Sequence, residues 1–345
     1  MTGALHIFID IWRAVLMNRY AIEQKFKSAA AFLIILILLP YIVSVFVNGT
    51  DLREVDGGVF YVKVKIPETE EADGVTELNW TDYLAGILAK EISKDSEPEA
   101  MKAQAILIRT KIYRAVENSE DKILTESYLS REEMEDEWGS ENYRKYYEKY
   151  IRAVEETDDT VLMYNDTYAW TPFHQSSCGK TRSASEVMGS EDYPYIAVRE
   201  CPADKEAENE IQTFVFSYSE IQTLCRDFLV AAENGEKAAQ GYTFNDFEIK
   251  SKDSAGYVSE LEIGETVCTG DQFRDALSLP SSAFSLNESG KDDIKITTTG
   301  KGHGLGMSLW TAEQMAEEGK DCEEILSFFF EGTELRKDIQ ETEIF

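Results

Sequence analysis

Apolar and polar residues alternate from Val59 to Ile66, with Phe60, Val62, Val64 and Ile66 on one side and Lys63 and Lys65 on the other. A period of two predicts a strand with one face turned to a core. The period then lengthens. In YLAGILAKEI, Leu84, Ile87, Leu88 and Glu91 follow the spacing i, i+3, i+4, i+7. That spacing predicts a helix from Thr81 to about Ile92, with the four on one stripe. A second helix is expected from Ser96, where Ser96 and Glu99 have capping-box spacing and Pro98 suits a first turn. It runs on through AMKAQAILIRTKIYRAV, which is rich in helix formers.

Residues 118–142 are strongly charged and read as a surface loop or helix, followed by a helix in YRKYYEKYIRAVEET. Thr160 to Phe173 reads as a hairpin turning at Asn165 and Asp166. The second half mixes a strand at Thr213–Phe216, a helix from Ser219 to Ala232 and a strand pair around 245–265. A strand near Ile294–Thr299 then leads into a glycine-rich loop and a terminal helix pair. Strands and helices do not alternate strictly, so the pattern predicts an α+β fold with antiparallel strands.

One stretch fits neither period. Ala29 to Val47 carries no charge across 19 residues, about the length that spans a bilayer core as a helix. The basic flank lies on its N-terminal side, which predicts a cytoplasmic N-terminus. The expected organisation is a cytoplasmic segment at 1–28, a transmembrane helix at 29–47 and an extracytoplasmic domain at 58–336. A cleavable signal peptide fits less well, because the polar start is long and no small-residue cleavage site follows. Residues 4–17 have the pattern of a short amphipathic helix on the inner membrane face.

Charge sharpens this picture. The chain of 345 residues has a formal net charge of −31, and residues 1–50 carry four basic and two acidic groups. The acidity therefore lies beyond the apolar stretch. Such a surface repels phosphate backbones and argues against nucleic-acid binding.

Three sets of residues carry candidate chemistry. Glu91 occupies a position where an apolar side chain is expected; a carboxyl beside Leu and Ile loses hydration and is held protonated, as a general acid requires. The bland alternative is a stripe-edge residue in solvent, or paired with Lys102 or Arg109. The second set is Gly300 to Gly306, GKGHGLG, with four glycines around His303. It matches neither phosphate-binding glycine motif and reads either as a ligand-covering loop or as a tight connection. The third is His174, Cys178 and Cys201. These could bind a structural zinc, although the spacing matches no common zinc motif; a Cys178–Cys201 disulfide or free thiols are the competing readings.

The ordered blocks DYLAGILAKEI, EPEAMKAQAILIRTKIY, AVEETDDTVLMYNDTYAWTPFHQSSCGKTRSASEVMGSEDYPYI, AGYVSELEIG, FRDALSLPSSAFSL and GKGHGLGMSLWTAEQMAEEGKDCEEILSFFFEGTEL together resemble the stage II sporulation protein D family. The resemblance covers about Val59 to Leu335. It implies a lytic transglycosylase that cleaves the β-1,4 bond between N-acetylmuramic acid and N-acetylglucosamine, leaving a 1,6-anhydro end. It implies glycan strands freed of stem peptides as substrate, in septal wall degradation during engulfment, with a wall amidase and membrane proteins of the engulfment machinery as partners. It places the catalytic acid at Glu91. Lys102, Gln104 and Arg109 match one family block, Arg274, Ser281 and Ser282 a second, and His303 and Ser308 a third; these are the expected substrate-binding positions. No cofactor is implied beyond a zinc reported near the position of His174 in some members. The chain departs from the family at Leu309 to Thr311 after the glycine loop and at Lys180. The competing function is a non-catalytic module that binds glycan and activates an amidase.

Overall fold

The computed structural model describes residues 60–65, 74–117, 119–157, 159–229 and 241–337. The chain divides into two units, Met1–Val59 and Phe60–Phe345, and all the described residues belong to the second. The expected segments at 1–28 and 29–47 lie outside the described residues. Among those described, no helix is long and apolar enough to cross a membrane.

The fold is α+β, with helices and mostly antiparallel sheets. It holds two large clusters of buried apolar side chains. The first begins with strand β1 (Tyr61–Lys65), which buries Val62 and Val64 and exposes the residues between. It pairs antiparallel with β2 (Val75–Asn79) and parallel with β3 (Ile123–Leu124). Helix α1 (Trp80–Glu91) starts where the Asn79 side chain accepts the Asp82 N–H at 3.0 Å, satisfying one orphan donor of the first turn. Its stripe Leu84, Ile87 and Leu88 is buried, each side chain worth about 1.5–3 kcal/mol of apolar transfer.

Helix α2 (Pro98–Glu117) is the spine of this cluster. The capping box expected of Ser96 and Glu99 is replaced by distant contacts. The Glu97 N–H donates to the Glu313 carboxylate at 2.8 Å, and Glu99 accepts from Lys102 and from the Cys322 N–H. These bonds pin the start of the spine to the two C-terminal helices. The charged stretch after α2 forms helix α3 (Arg131–Trp138), capped by a reciprocal Ser130–Glu133 box. Helix α4 (Ser140–Glu156) packs against α1 and α2. The predicted hairpin forms from β4 (Val161–Tyr164) and β5 (Thr167–Tyr168). Asn165 and Asp166 both have positive φ, as a type I′ turn requires.

The second cluster lies under two sheets. One is ordered β11–β12–β7, from β7 (Ile211–Ser217), β11 (Phe284–Ser289) and β12 (Asp293–Thr299). The other is a meander of β8 (Phe247–Lys252), β9 (Val258–Ile263) and β10 (Thr266–Cys268). The helix expected at 219–232 is shorter, Tyr218–Leu224. A turn follows in which the Cys225 carbonyl accepts from Phe228 and Leu229, and residues 230–232 of the expected helix lie outside the described residues. A helix that periodicity did not reveal, Gly270–Leu277, covers β9. The terminal pair is Leu309–Glu317 and Cys322–Phe329, the first followed by Gly319 at φ 87°.

Candidate functional site

Glu91 is the last residue of α1, where the buried stripe meets the surface, and it is partly exposed. Its carboxylate makes no hydrogen bond or ion pair among the described residues. Both proposed partners are committed elsewhere. Lys102 binds Glu99 at 2.8 Å and Glu156 at 2.6 Å, and these bonds raise its pKa well above the ordinary value. Arg109 is wholly buried, and its guanidinium donates to the carbonyls of Val154, Thr157 and Thr160 at 2.6–3.1 Å. Arg109 thus satisfies the orphan carbonyls at the end of α4.

What touches Glu91 is Gln175, whose side-chain amide donates to the Glu91 carbonyl at 3.3 Å. Gln175 belongs to the segment 173–178, and that segment is stitched to the glycine loop. Phe173 and His174 pair in parallel with Met307 and Ser308, and Ser176 bridges Lys301. The Gln175 carbonyl accepts from the Trp310 N–H at 3.0 Å. All four loop glycines have positive φ. At Gly302 a side chain would run into His174, and at Gly306 into the Pro172 carbonyl. Glycine is therefore needed here for close contact between two protein segments as well as for backbone freedom.

His174 and His303 meet across this junction, with ring centroids 5.8 Å apart. Burial lowers the pKa of His174 to about 3, helped by His303. Burial also lowers His303 to about 4, helped by the positive charge of Arg274. Both rings are neutral near pH 7. Nδ1 of His174 donates to the Leu305 carbonyl at 3.1 Å, leaving its buried Nε2 unprotonated and without a partner. Nδ1 of His303 accepts from the Leu305 N–H at 3.0 Å. The loop is thereby folded around the two rings.

Two carboxylates anchor this region, Asp204 buried and Asp271 half-buried. Asp204 accepts from the Ser308 and Thr311 hydroxyls at 2.8 and 2.6 Å and from the Ser177 N–H at 2.6 Å. Asp271 accepts from Arg182 at 2.8 and 3.1 Å, from Arg274 at 3.2 Å and from Ser282 at 2.7 Å. Burial pushes Asp271 up, but Arg182, Ser282 and Arg274 outweigh it and hold the carboxyl below its usual range. Arg182 also binds Asp253 at 2.7 Å, lies over the Tyr257 ring at 4.8 Å and donates to the His303 carbonyl at 3.2 Å.

The expected substrate-binding residues therefore separate. His303 lies at the junction near Gln175, and Arg274 and Ser282 reach it through Asp271 and Arg182. Ser308 is wholly buried and caps the first terminal helix while binding Asp204. Lys102, Gln104 and Arg109 belong to the spine helix. Gln104 is wholly buried and its amide has no hydrogen-bond partner among the described residues.

Among the described residues no group of three His, Cys, Asp or Glu could hold a metal ion. The Cys178 thiol donates to the Ala255 carbonyl at 3.3 Å, whereas buried Cys201 is pushed up to about 12, chiefly by burial. His174, Cys178 and Cys201 do not converge. Both cysteines are free, so the free-thiol alternative describes them and the disulfide does not.

Sequence reasoning missed Gln175, Arg182, Asp204 and Asp271. Arg182 carried a signal: it is a charged residue in the otherwise small and polar run TRSAS, a setting in which burial demands a partner.

The chain is similar to proteins of known family. The stage II sporulation protein family matches residues 68–164. The chain is 30% identical over 284 residues to the stage II sporulation protein D of Bacillus subtilis, an alignment covering 79% of each chain. It is 30% identical over 274 residues to the protein of that name from Bacillus amyloliquefaciens, covering 74% of this chain and 73% of the relative. The amidase enhancer of Bacillus subtilis is more distant, 24% identical over 298 residues that cover 73% of this chain and 40% of the enhancer.

Proposed function

The chain belongs to the stage II sporulation protein D family, and on that footing we propose that it is a lytic transglycosylase of sporulation. Its substrate is the peptidoglycan glycan strand freed of stem peptides, and its place is the septal wall during engulfment. The observation that carries this reading is Glu91. It is a carboxyl at the end of a buried helix, partly exposed and unpaired, with its backbone tied to the loop that folds over His303.

A single carboxyl suffices for the reaction, unlike the paired carboxylates of hydrolytic glycosidases. Glu91 gives its proton to the glycosidic oxygen as the bond to the muramyl anomeric carbon breaks. The muramyl 6-hydroxyl oxygen then bonds to that carbon. Its proton goes to the Glu91 carboxylate, which restores the acid. No water is consumed. The neutral His174 and His303 keep the glycine loop packed through the Leu305 backbone.

The apolar stretch at 29–47 would anchor the protein as a single-pass membrane protein with its N-terminus in the cytoplasm. The catalytic domain would then act outside the cytoplasm, beside the amidase that strips the strands and the membrane proteins of the engulfment machinery.

The likeness to an amidase enhancer favours one second reading, a glycan-binding activator of an amidase without its own cleavage. Incubation with amidase-stripped glycan, followed by mass spectrometry of the soluble products, separates the two. Release of 1,6-anhydro ends supports the enzyme. Absence of release together with a faster amidase supports the activator.

A further inference from the structure

A cleft of about 390 Å³ opens between the outer face of the β11–β12–β7 sheet and the turn before β7. Thr297, Thr299 and Ser285 line it from the sheet, Lys252 and Gly256 from the neighbouring hairpin, and Lys205 and Glu210 from the turn. It lies at the Cys178 end of the 173–178 segment, whereas Gln175 carries Glu91 at the other. None of the chemistry described above uses it.

Three features set this cleft apart. The first is its pair of ammonium groups. In a chain of net charge −31, neither Lys205 nor Lys252 forms an ion pair among the described residues; Lys252 reaches only the Phe284 carbonyl, at 3.2 Å. The second is Glu210, 4% exposed. Its Oε2 accepts from the Ser176 hydroxyl at 2.6 Å, and its buried Oε1 has no partner. A buried carboxyl oxygen left unmatched is costly. Burial raises the Glu210 pKa. The third is the wall itself. Ser285, Thr297 and Thr299 line it beside the apolar Ala283 and Phe284, the mixed lining that suits a small hydroxylated ring.

We propose that this cleft binds a carboxylate-bearing sugar, with Lys205 and Lys252 on the carboxylate and Glu210, Ser285, Thr297 and Thr299 toward the ring hydroxyls. The size favours a sugar acid over a bare inorganic anion, which would leave the sheet wall unused. The choice of muramic acid as probe rests on the glycan reading above; the cleft does not.

The test titrates the full chain with N-acetylmuramic acid, N-acetylglucosamine and inorganic phosphate. The first two sugars differ in the lactyl carboxylate. N-acetylmuramic acid is expected to bind at least about tenfold more tightly than either of the others. Its affinity should fall by about tenfold or more in Lys205→Met/Lys252→Met and weaken with added salt. Both lysines are exposed, so the variant keeps its fold, and the salt series on the unaltered chain provides an independent reading. Glu91→Gln should leave this binding unchanged, so retained cleavage by that variant would sink the enzyme reading and spare the cleft. Equal binding of the two sugars, equal binding of phosphate, no binding up to about 10 mM, or indifference to the lysine substitutions would overturn the proposal.

Discussion

The Gln175 side-chain amide donates to the Glu91 backbone carbonyl at 3.3 Å. That bond joins the last turn of the first helix to the segment stitched along the glycine loop. It reaches the carbonyl of Glu91 and leaves the carboxyl free. Gln175 is therefore a positioning residue for the proposed acid, and the prediction concerns rate rather than stability. Gln175→Ala should lower kcat on stripped glycan by about tenfold, since small misplacements of a reacting group are costly. Its KM should hold. Unfolding free energy should change by no more than about 1 kcal/mol, because the side chain is exposed. An unchanged kcat would remove Gln175 from this role.

Arg109 lies in a family block expected to bind substrate, yet it is buried and holds three carbonyls near the end of the fourth helix. Arg109→Met should lower stability by about 3 kcal/mol, because several buried acceptors lose their donor together. Below its melting transition the variant should cleave within about twofold of the original rate. A variant that is stable but inactive would return Arg109 to the substrate site.

Buried His174 and half-buried His303 predict a pH dependence of folding. The folded pKa of His174 is about 3 and that of His303 about 4, against about 6.5 in the unfolded chain. Between those values the unfolded chain binds protons that the folded chain refuses. Stability is thus full above about pH 6.5 and falls as pH drops toward the folded values. Urea melts at about pH 7 and pH 4.5 should differ by about 2 kcal/mol on account of His174 alone. In His174→Gln the difference should shrink. A variant with the same pH slope as the original would show that the histidine is solvated.

Much of the frame was legible in the sequence, for reasons that differ by element. The period-two run at β1, the Asn165–Asp166 turn and the Leu84, Ile87, Leu88 stripe are local patterns with one physical solution. The position of Glu91 at the end of that stripe could be read in the same way. The partners of Lys102 and Arg109 could not, because Glu156 and the carbonyls of residues 154–160 come from a helix about 50 residues away. Arg109 looked like a ligand-binding cation because sequence shows charge but not burial. The Asp271 cluster was hidden for a similar reason: its members, at positions 182, 271, 274 and 282, meet only through tertiary folding. The Ser96–Glu99 capping signal was real as spacing, but Lys102 and the Cys322 N–H compete for Glu99 and hold it. The proximity of Cys178 and Cys201 in sequence to a histidine suggested zinc, whereas their thiols point to different neighbours.

The central claim is that Glu91 is the acid of glycan cleavage. The most direct measurement compares the protein with Glu91→Gln on amidase-stripped peptidoglycan, with mass spectrometry of the soluble products and a melting curve for each. The substitution keeps the shape of the side chain and removes its titratable proton. The account predicts 1,6-anhydro-muramyl ends from the unaltered protein, at least about a hundredfold fewer from Glu91→Gln, and matching melting curves. Equal release of anhydro ends by a folded Glu91→Gln would contradict it.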